Sequence, residues 1–273
     1  MSEFAGRVAV VTGAGSGIGR ALAQDLARRG ARLALSDVDE NGLAETVACL
    51  GGASDAVRSD SLDVTDRAAV LAYAGDVAEQ FGRIHQVYNN AGIAFAGNIL
   101  TSTFEQIERV VDVDFWGVVN GTKAFLPHLV ASGEGHVVNI SSLFGLLAVP
   151  SQSAYNAAKF AVRGFTESLR QEMLVAKLPV QVTCVHPGGV RTGIARNAAR
   201  GEGFTDSAAM ERFEATMLRM KPEDAAAAIL SGVRRNRARV LVGNDARVLD
   251  LVVRVLGSAY QRPLAFAAGR RLR

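Results

Sequence analysis

A chain of 273 residues, 49% of them apolar, has material for one large α/β domain or two small ones. Its 30 basic and 27 acidic residues leave a formal charge of +3, too near neutral to argue for nucleic acid. The two cysteines lack metal-ligand spacing, no basic leader precedes a long apolar stretch, and no apolar run approaches the ~20 residues of a membrane span. The expectation is a cytoplasmic protein without a metal, with Cys49 and Cys184 as buried free thiols.

Arg7 to Thr12, RVAVVT, is a valine-rich run of the kind buried on both faces of a parallel sheet. It breaks into GAGSGIG, and RALAQDLARRG follows with helical spacing and a terminal glycine. The glycines therefore occupy a strand-to-helix turn, where N–H groups and the helix dipole receive phosphate. Strict G-x-G-x-x-G spacing is absent, because position 18 is Ile18. What is present is T-G-x-x-x-G-x-G on Thr12, Gly13, Gly17 and Gly19, with Ser16 and Ile18 between them. A plain flexible turn is the alternative; the strand before and the helix after favour a dinucleotide.

Ala31 to Asp37 is a second strand ending in a carboxylate, placed where an acid holds ribose hydroxyls and repels a 2′-phosphate. No basic residue stands at Ser16 or Val38, so the pattern favours NAD over NADP. Asp37 as the cap of the helix that follows is the other reading. Beyond that helix come a weak strand near Ala56 to Leu62, a helix from Asp66 to Phe81, and a strand from Ile84 into the turn NNAG. In that turn Asn90 is placed to brace strand ends, a simple turn being the alternative, while Ala91 and Gly92 let backbone approach a flat ligand. A long helix spans Thr103 to Leu129, and GHVVNISS is the next strand.

Ser142 ends that strand, and Tyr155 and Lys159 follow in an Ala-rich helical run. Residues four apart share a helix face, so a phenol lies beside an ammonium. That charge is expected to lower the phenol pKa toward the range of a general acid/base. The strand Val180 to His186 breaks at Pro187, Gly188 and Gly189; His186 reads as structural. Polar sequence from about 190 to 220 is a candidate lid, followed by a helix opening at Pro222 and a last strand, Arg239 to Gly243. Strand and helix alternate throughout. The fold class is α/β, one doubly wound parallel sheet flanked by helices over residues 1–245, with ligands beyond the strand C-termini.

Together, TGAGSGIG, Asp37, Asp63-Val64, NNAG, Ser142, YNAAK and PGGVRT resemble the short-chain dehydrogenase/reductase family in order and spacing, over residues 5 to 245. The resemblance implies seven parallel strands and reversible oxidation of an alcohol to a carbonyl. It implies Tyr155 as general acid/base, Ser142 on the substrate oxygen, and Lys159 on the nicotinamide ribose. Asp63 and Val64 would flank the adenine, Val190 and Thr192 the nicotinamide end, and the assembly would be a homodimer or homotetramer.

One position departs from the family pattern. Where an asparagine usually stands, in a segment aligning with DFWG, this chain has Asp114. Either its charge retunes a proton relay through Lys159, or it faces elsewhere. LFGLLAVP after Ser142, with Phe95, points to a lipophilic alcohol or ketone substrate, unless these side chains are ordinary core or subunit contacts. Residues 246–273 form a basic amphipathic extension. Its stripe of Val248, Leu251, Val252, Val255, Leu256 and Ala259 is expected on the core or a sister subunit. With Arg247, Arg254 and Arg262, a membrane-surface helix is the second reading. An NADPH-dependent carbonyl reductase and a non-catalytic dinucleotide-binding regulator are the functional alternatives.

Overall fold

A computed structural model describes residues 4–194, 198–201 and 218–271. The strands are Val8–Thr12 (β1), Arg32–Asp37 (β2), Val57–Ser61 (β3), Gln86–Asn89 (β4), Phe95–Ala96 (β5), Gly135–Ile140 (β6), Val180–Pro187 (β7), Ala199–Arg200 (β8) and Arg239–Val242 (β9). Seven of them form one sheet in the order β3-β2-β1-β4-β6-β7-β9, and every neighbouring pair is parallel. The chain winds outward from β1, returns to β4 beside it, and winds out the other way. The crevice beyond the ends of β1 and β4 is therefore the switch point. β5 and β8 pair separately.

The helices are Gly17–Arg28 (α1), Glu40–Cys49 (α2), Arg67–Phe81 (α3), Phe104–Val111 (α4), Gly117–Ser132 (α5), Ser153–Val175 (α6), Pro222–Arg234 (α7), Asn244–Leu256 (α8) and Gln261–Arg271 (α9). The sheet is buried on both faces, which is why β1 reads as unbroken apolar sequence. Ala9 and Val11 join a core with Leu22, Leu26, Ile229 and Leu230 of α1 and α7. Val8 and Val10 join the other, with Val77, Phe125, Leu129 and Leu169 of α3, α5 and α6. This alternation is the strand period of two. β3 is weak in sequence because it is an edge strand with a polar, half-exposed pattern.

Three expectations change. The long helix is not uniform: after a capping box of Thr103 and Gln106 it runs as α4, widens into a π-turn at Asp112–Trp116, and continues as α5 to Ser132. Cys184 is buried, but Cys49 is exposed, since α2 buries only Gly42, Leu43 and Thr46. In the C-terminal stripe Val248, Leu251, Val255, Leu256 and Ala259 are exposed; Ala246, Leu249 and Val253 meet the core instead. Of the expected lid, residues 195–197 and 202–217 lie outside the described residues.

Candidate active site

The glycine turn is held by polar bonds from the neighbouring strand end. The Asn90 and Ala91 N–H groups donate to Thr12 Oγ1 at 3.0 and 3.1 Å. Asn90 Nδ2 donates to the carbonyls of Thr12 and Gly13. The expected brace is thus formed. Gly13 has φ +66°, and a Cβ there would lie 2.7 Å from Ala91 Cα. Glycine is the residue that takes this conformation and this approach.

A dinucleotide fits this region. Helix α1 opens at Gly17 with no side chain capping it from Ser16 and no acid in its first turn. Its N-terminal N–H groups are available to a pyrophosphate. Thr192 lies over this turn, its Cγ2 only 2.9 Å from where a Gly17 Cβ would sit. Asp37 closes the far side: its Oδ2 accepts from Gly15 N at 2.7 Å and its Oδ1 from Asp39 N at 3.0 Å. Asp39, not Asp37, caps α2, so the capping alternative for Asp37 falls. Arg20, the cation on this turn, is committed to the Gly15 and Gly42 carbonyls, Thr46 and Glu45. Asp63 accepts from Thr65 and lies 3.6 Å from Arg109. Burial resists its charge, but these partners outweigh it and hold the carboxyl below its ordinary range. Val64 is buried, and its carbonyl accepts from Asn120.

Ser142, Tyr155 and Lys159 converge across the ends of β6 and α6. Ser142 Oγ accepts from Phe144 N at 3.1 Å and starts a single 3-10 turn, Leu143–Gly145. His186, fully buried, holds the Ser142 carbonyl through its Nδ1 at 2.9 Å, which is the structural role expected of it. Lys159 is 3% exposed; its Nζ lies 3.4 Å from the Ile140 carbonyl and 5.5 Å from the Tyr155 ring centre. Phe144 stands edge-on to Tyr155 with ring centres 6.2 Å apart. Phe95, Val110 and Ala154, with Ile93 and Ile107, complete an apolar wall around the phenol.

Asp114 does not face elsewhere. The π-turn delivers it, fully buried, to 3.4 Å from Lys159 Nζ, and its Oδ1 accepts from Ile93 N at 2.7 Å. Gly92 leaves room for the pair, since a Cβ there would lie 3.1 Å from Asp114 and 3.3 Å from Lys159. Burial alone would discharge the lysine, but Asp114 and Tyr155 outweigh it and hold its pKa above the ordinary value. Burial pushes the Asp114 carboxyl up, against the opposing pull of Lys159. The phenol corrects the sequence argument. Burial raises the Tyr155 pKa, Asp114 pushes the same way, and Lys159 with the Ser142 hydroxyl only partly offsets them.

The Pro187–Gly188 turn is fixed by Asp245, which sequence reasoning missed. Gly188 N donates to Val242 O, and Gly189 N donates to Asp245 Oδ2 at 2.7 Å. Val190 beyond it is buried. Also missed is Tyr260, whose Oη accepts from Ala148 N at 3.0 Å and ties the C-terminal extension to the segment after Ser142. No sequence periodicity marks either contact; both join segments more than fifty residues apart. No metal-ligating cluster occurs among the described residues.

Residues 7–203 match the family described as short chain dehydrogenase. SadH of Mycobacterium tuberculosis, named as a candidate oxidoreductase, is 61% identical over 97% of this chain and 96% of its own. Human estradiol 17-beta-dehydrogenase 11 is 29% identical over 92% of this chain and 79% of its own. A Burkholderia phymatum short chain dehydrogenase/reductase, solved in complex with NAD, superposes with TM-score 0.85 at 32% identity, covering 96% and 97% of the two chains.

Proposed function

The chain belongs to the short-chain dehydrogenase/reductase family, and from that premise we propose that it interconverts a lipophilic secondary alcohol and its ketone with NAD. One observation carries the reading: among the described residues, Tyr155 and Ser142, backed by Lys159, bring their hydroxyls together at the apolar wall of Phe95, Ile93, Val110 and Phe144. Ser142 orients the substrate oxygen. Tyr155 takes the hydroxyl proton in oxidation and returns it in reduction. Lys159 holds the cofactor ribose and stays charged. When bound, the oxidised nicotinamide supplies the hydride acceptor and a positive charge that favours phenolate over the raised value of the protein alone.

Asp37 supports NAD over NADP. A 2′-phosphate would face a carboxylate, while Arg20 is held elsewhere. The human relative named for estradiol, and the apolar wall, support a bulky lipophilic substrate. The intact Ser142, Tyr155 and Lys159 grouping argues against a non-catalytic regulator, which needs no acid/base.

The test is a rate comparison of NAD and NADP over alcohols that include steroids, retinoids and small diols, with Tyr155→Phe alongside. We expect NAD to be preferred and lipophilic alcohols to turn over fastest. The variant should lose at least ~100-fold in kcat, the scale of a lost acid/base, with dinucleotide affinity unchanged. Retained turnover would remove Tyr155 from its role; preference for NADP would remove Asp37 from its own.

A further inference from the structure

The charge of this chain is divided unevenly. Residues 246–273 carry six arginines and one aspartate, +5, which leaves −2 for the first 245 residues of a chain whose total is +3. Helix α8 opens this segment and has two faces. Ala246, Leu249 and Val253 pack on Leu143, Leu146 and Leu147, the segment that follows Ser142. The opposite face shows Val248 at 60%, Leu251 at 62% and Val255 at 74% exposed, with Leu256 beside them. At 100° per residue, Arg247 and Arg254 form the row bordering this stripe, and both are exposed. The extension's sole acid, Asp250, is turned inward and paired with Arg254 and Arg239.

We propose that the outer face of α8 docks this protein on an anionic lipid surface, apolar stripe down and arginines at the headgroups. A helix of this length, about 20 Å, lies in the plane of the interface rather than crossing it. No helix among the described residues is long and apolar enough to span a bilayer. A second copy is the poorer occupant. A two-fold contact along the stripe would set the arginine rows near their equivalents; Arg254 has Asp250, but Arg247 would meet its like with no acid on the outer face of α8 to answer it. Anionic headgroups supply that charge. The docked face is the reverse of the one that packs on the segment after Ser142. Docking does not depend on the substrate reading, though the two agree.

The experiment is flotation of the full chain with vesicles of phosphatidylcholine alone and of phosphatidylcholine mixed with phosphatidylglycerol. Leu251→Glu/Val255→Glu and Arg247→Ala/Arg254→Ala are run in parallel. The wild type should float with the mixed vesicles and lose binding as salt rises. The charge insertion should cut binding more than tenfold. The arginine pair should cut it about 25-fold, roughly fivefold for each arginine near an anionic surface. Both variants should keep wild-type turnover of a water-soluble alcohol, which shows that they fold. Equal flotation with the two vesicle types, or unchanged flotation of the glutamate variant, overturns the proposal. So does a glutamate variant that loses self-association on size exclusion while the wild type ignores vesicles, because the stripe would then lie between copies.

Discussion

At the scale of single residues, the proposed proton transfer turns on half-buried Tyr155 and the buried pair of Lys159 and Asp114. Lys159 favours phenolate, but Asp114 stands 3.4 Å from that lysine and opposes it, and burial adds to the opposition. The phenol therefore lies above its ordinary value in the protein alone. Oxidation needs phenolate, whose share grows with pH below the pKa, so oxidation should climb into the alkaline range while reduction holds at neutral pH. Asp114→Asn is nearly isosteric and keeps an oxygen for the Ile93 N–H, so the π-turn should survive. Removing the charge lowers the phenol pKa. The alkaline limb of oxidation should move to lower pH, and neutral oxidation should rise severalfold with NAD affinity unchanged. A pH–rate profile superposable on the wild type would show that Asp114 has only a packing role. Position 114 was legible as a departure from a pattern. Its contact with Lys159 was not, because it depends on a π-turn that apolar periodicity does not encode.

At the scale of elements, the strands and their functional ends were readable because each is an apolar run closed by a small or polar residue. Thr12, Asp37, Asn90, Ser142 and Pro187 all fall where the sheet ends. The two-residue strands β5 and β8 are too short to carry a pattern. The C-terminal stripe was legible as amphipathic, but which face meets the core was not. Inward packing falls to Ala246, Leu249 and Val253, while Val248, Leu251, Val255 and Leu256 stay outside. The contact most consequential for the site, Ala148 N–H to Tyr260 Oη, joins residues 112 apart and is exposed. A hydrogen bond of this kind is worth about 1 kcal/mol. Tyr260→Phe should release the segment after Ser142, which positions the apolar wall through Phe144. The expected result is a KM for a lipophilic alcohol about fivefold higher, with kcat and dinucleotide affinity near wild type. An unchanged KM would mean that the apolar contacts of Leu264 and Val253 hold the segment unaided.

For the molecule as a whole, two imidazoles buried in the sheet set an acid limit on stability. His136 Nε2 meets Thr183 Oγ1 at 2.8 Å; that hydroxyl already donates to the Arg237 carbonyl, so Nε2 is the donor. His186 donates from Nδ1 to the Ser142 carbonyl. Each ring is thus fixed as one neutral tautomer. Burial pushes the His136 pKa down to about 3, with Arg170 and Arg7 adding to it. Burial, only partly offset by the Ser142 carbonyl, pushes His186 down to about 4. Burial lowers the His85 pKa as well. In the unfolded chain such groups titrate near ~6.5. Below that value the unfolded state binds protons that the folded state refuses, so stability is fully present above it and falls with pH down to the folded values. Two such protons give a slope of about 2.7 kcal/mol per pH unit, or roughly 4 kcal/mol lost between about pH 6.5 and about pH 5. Carboxylates with lowered values, such as Asp63 and Glu167, begin to contribute only at lower pH. Urea unfolding across this window, run in parallel on Asp114→Asn because that carboxyl's raised pKa opposes the trend, reads the histidines. A flat stability curve there would mean that the folded protein accepts a proton on these rings, and with it that the Ser142 carbonyl is not held by a neutral His186.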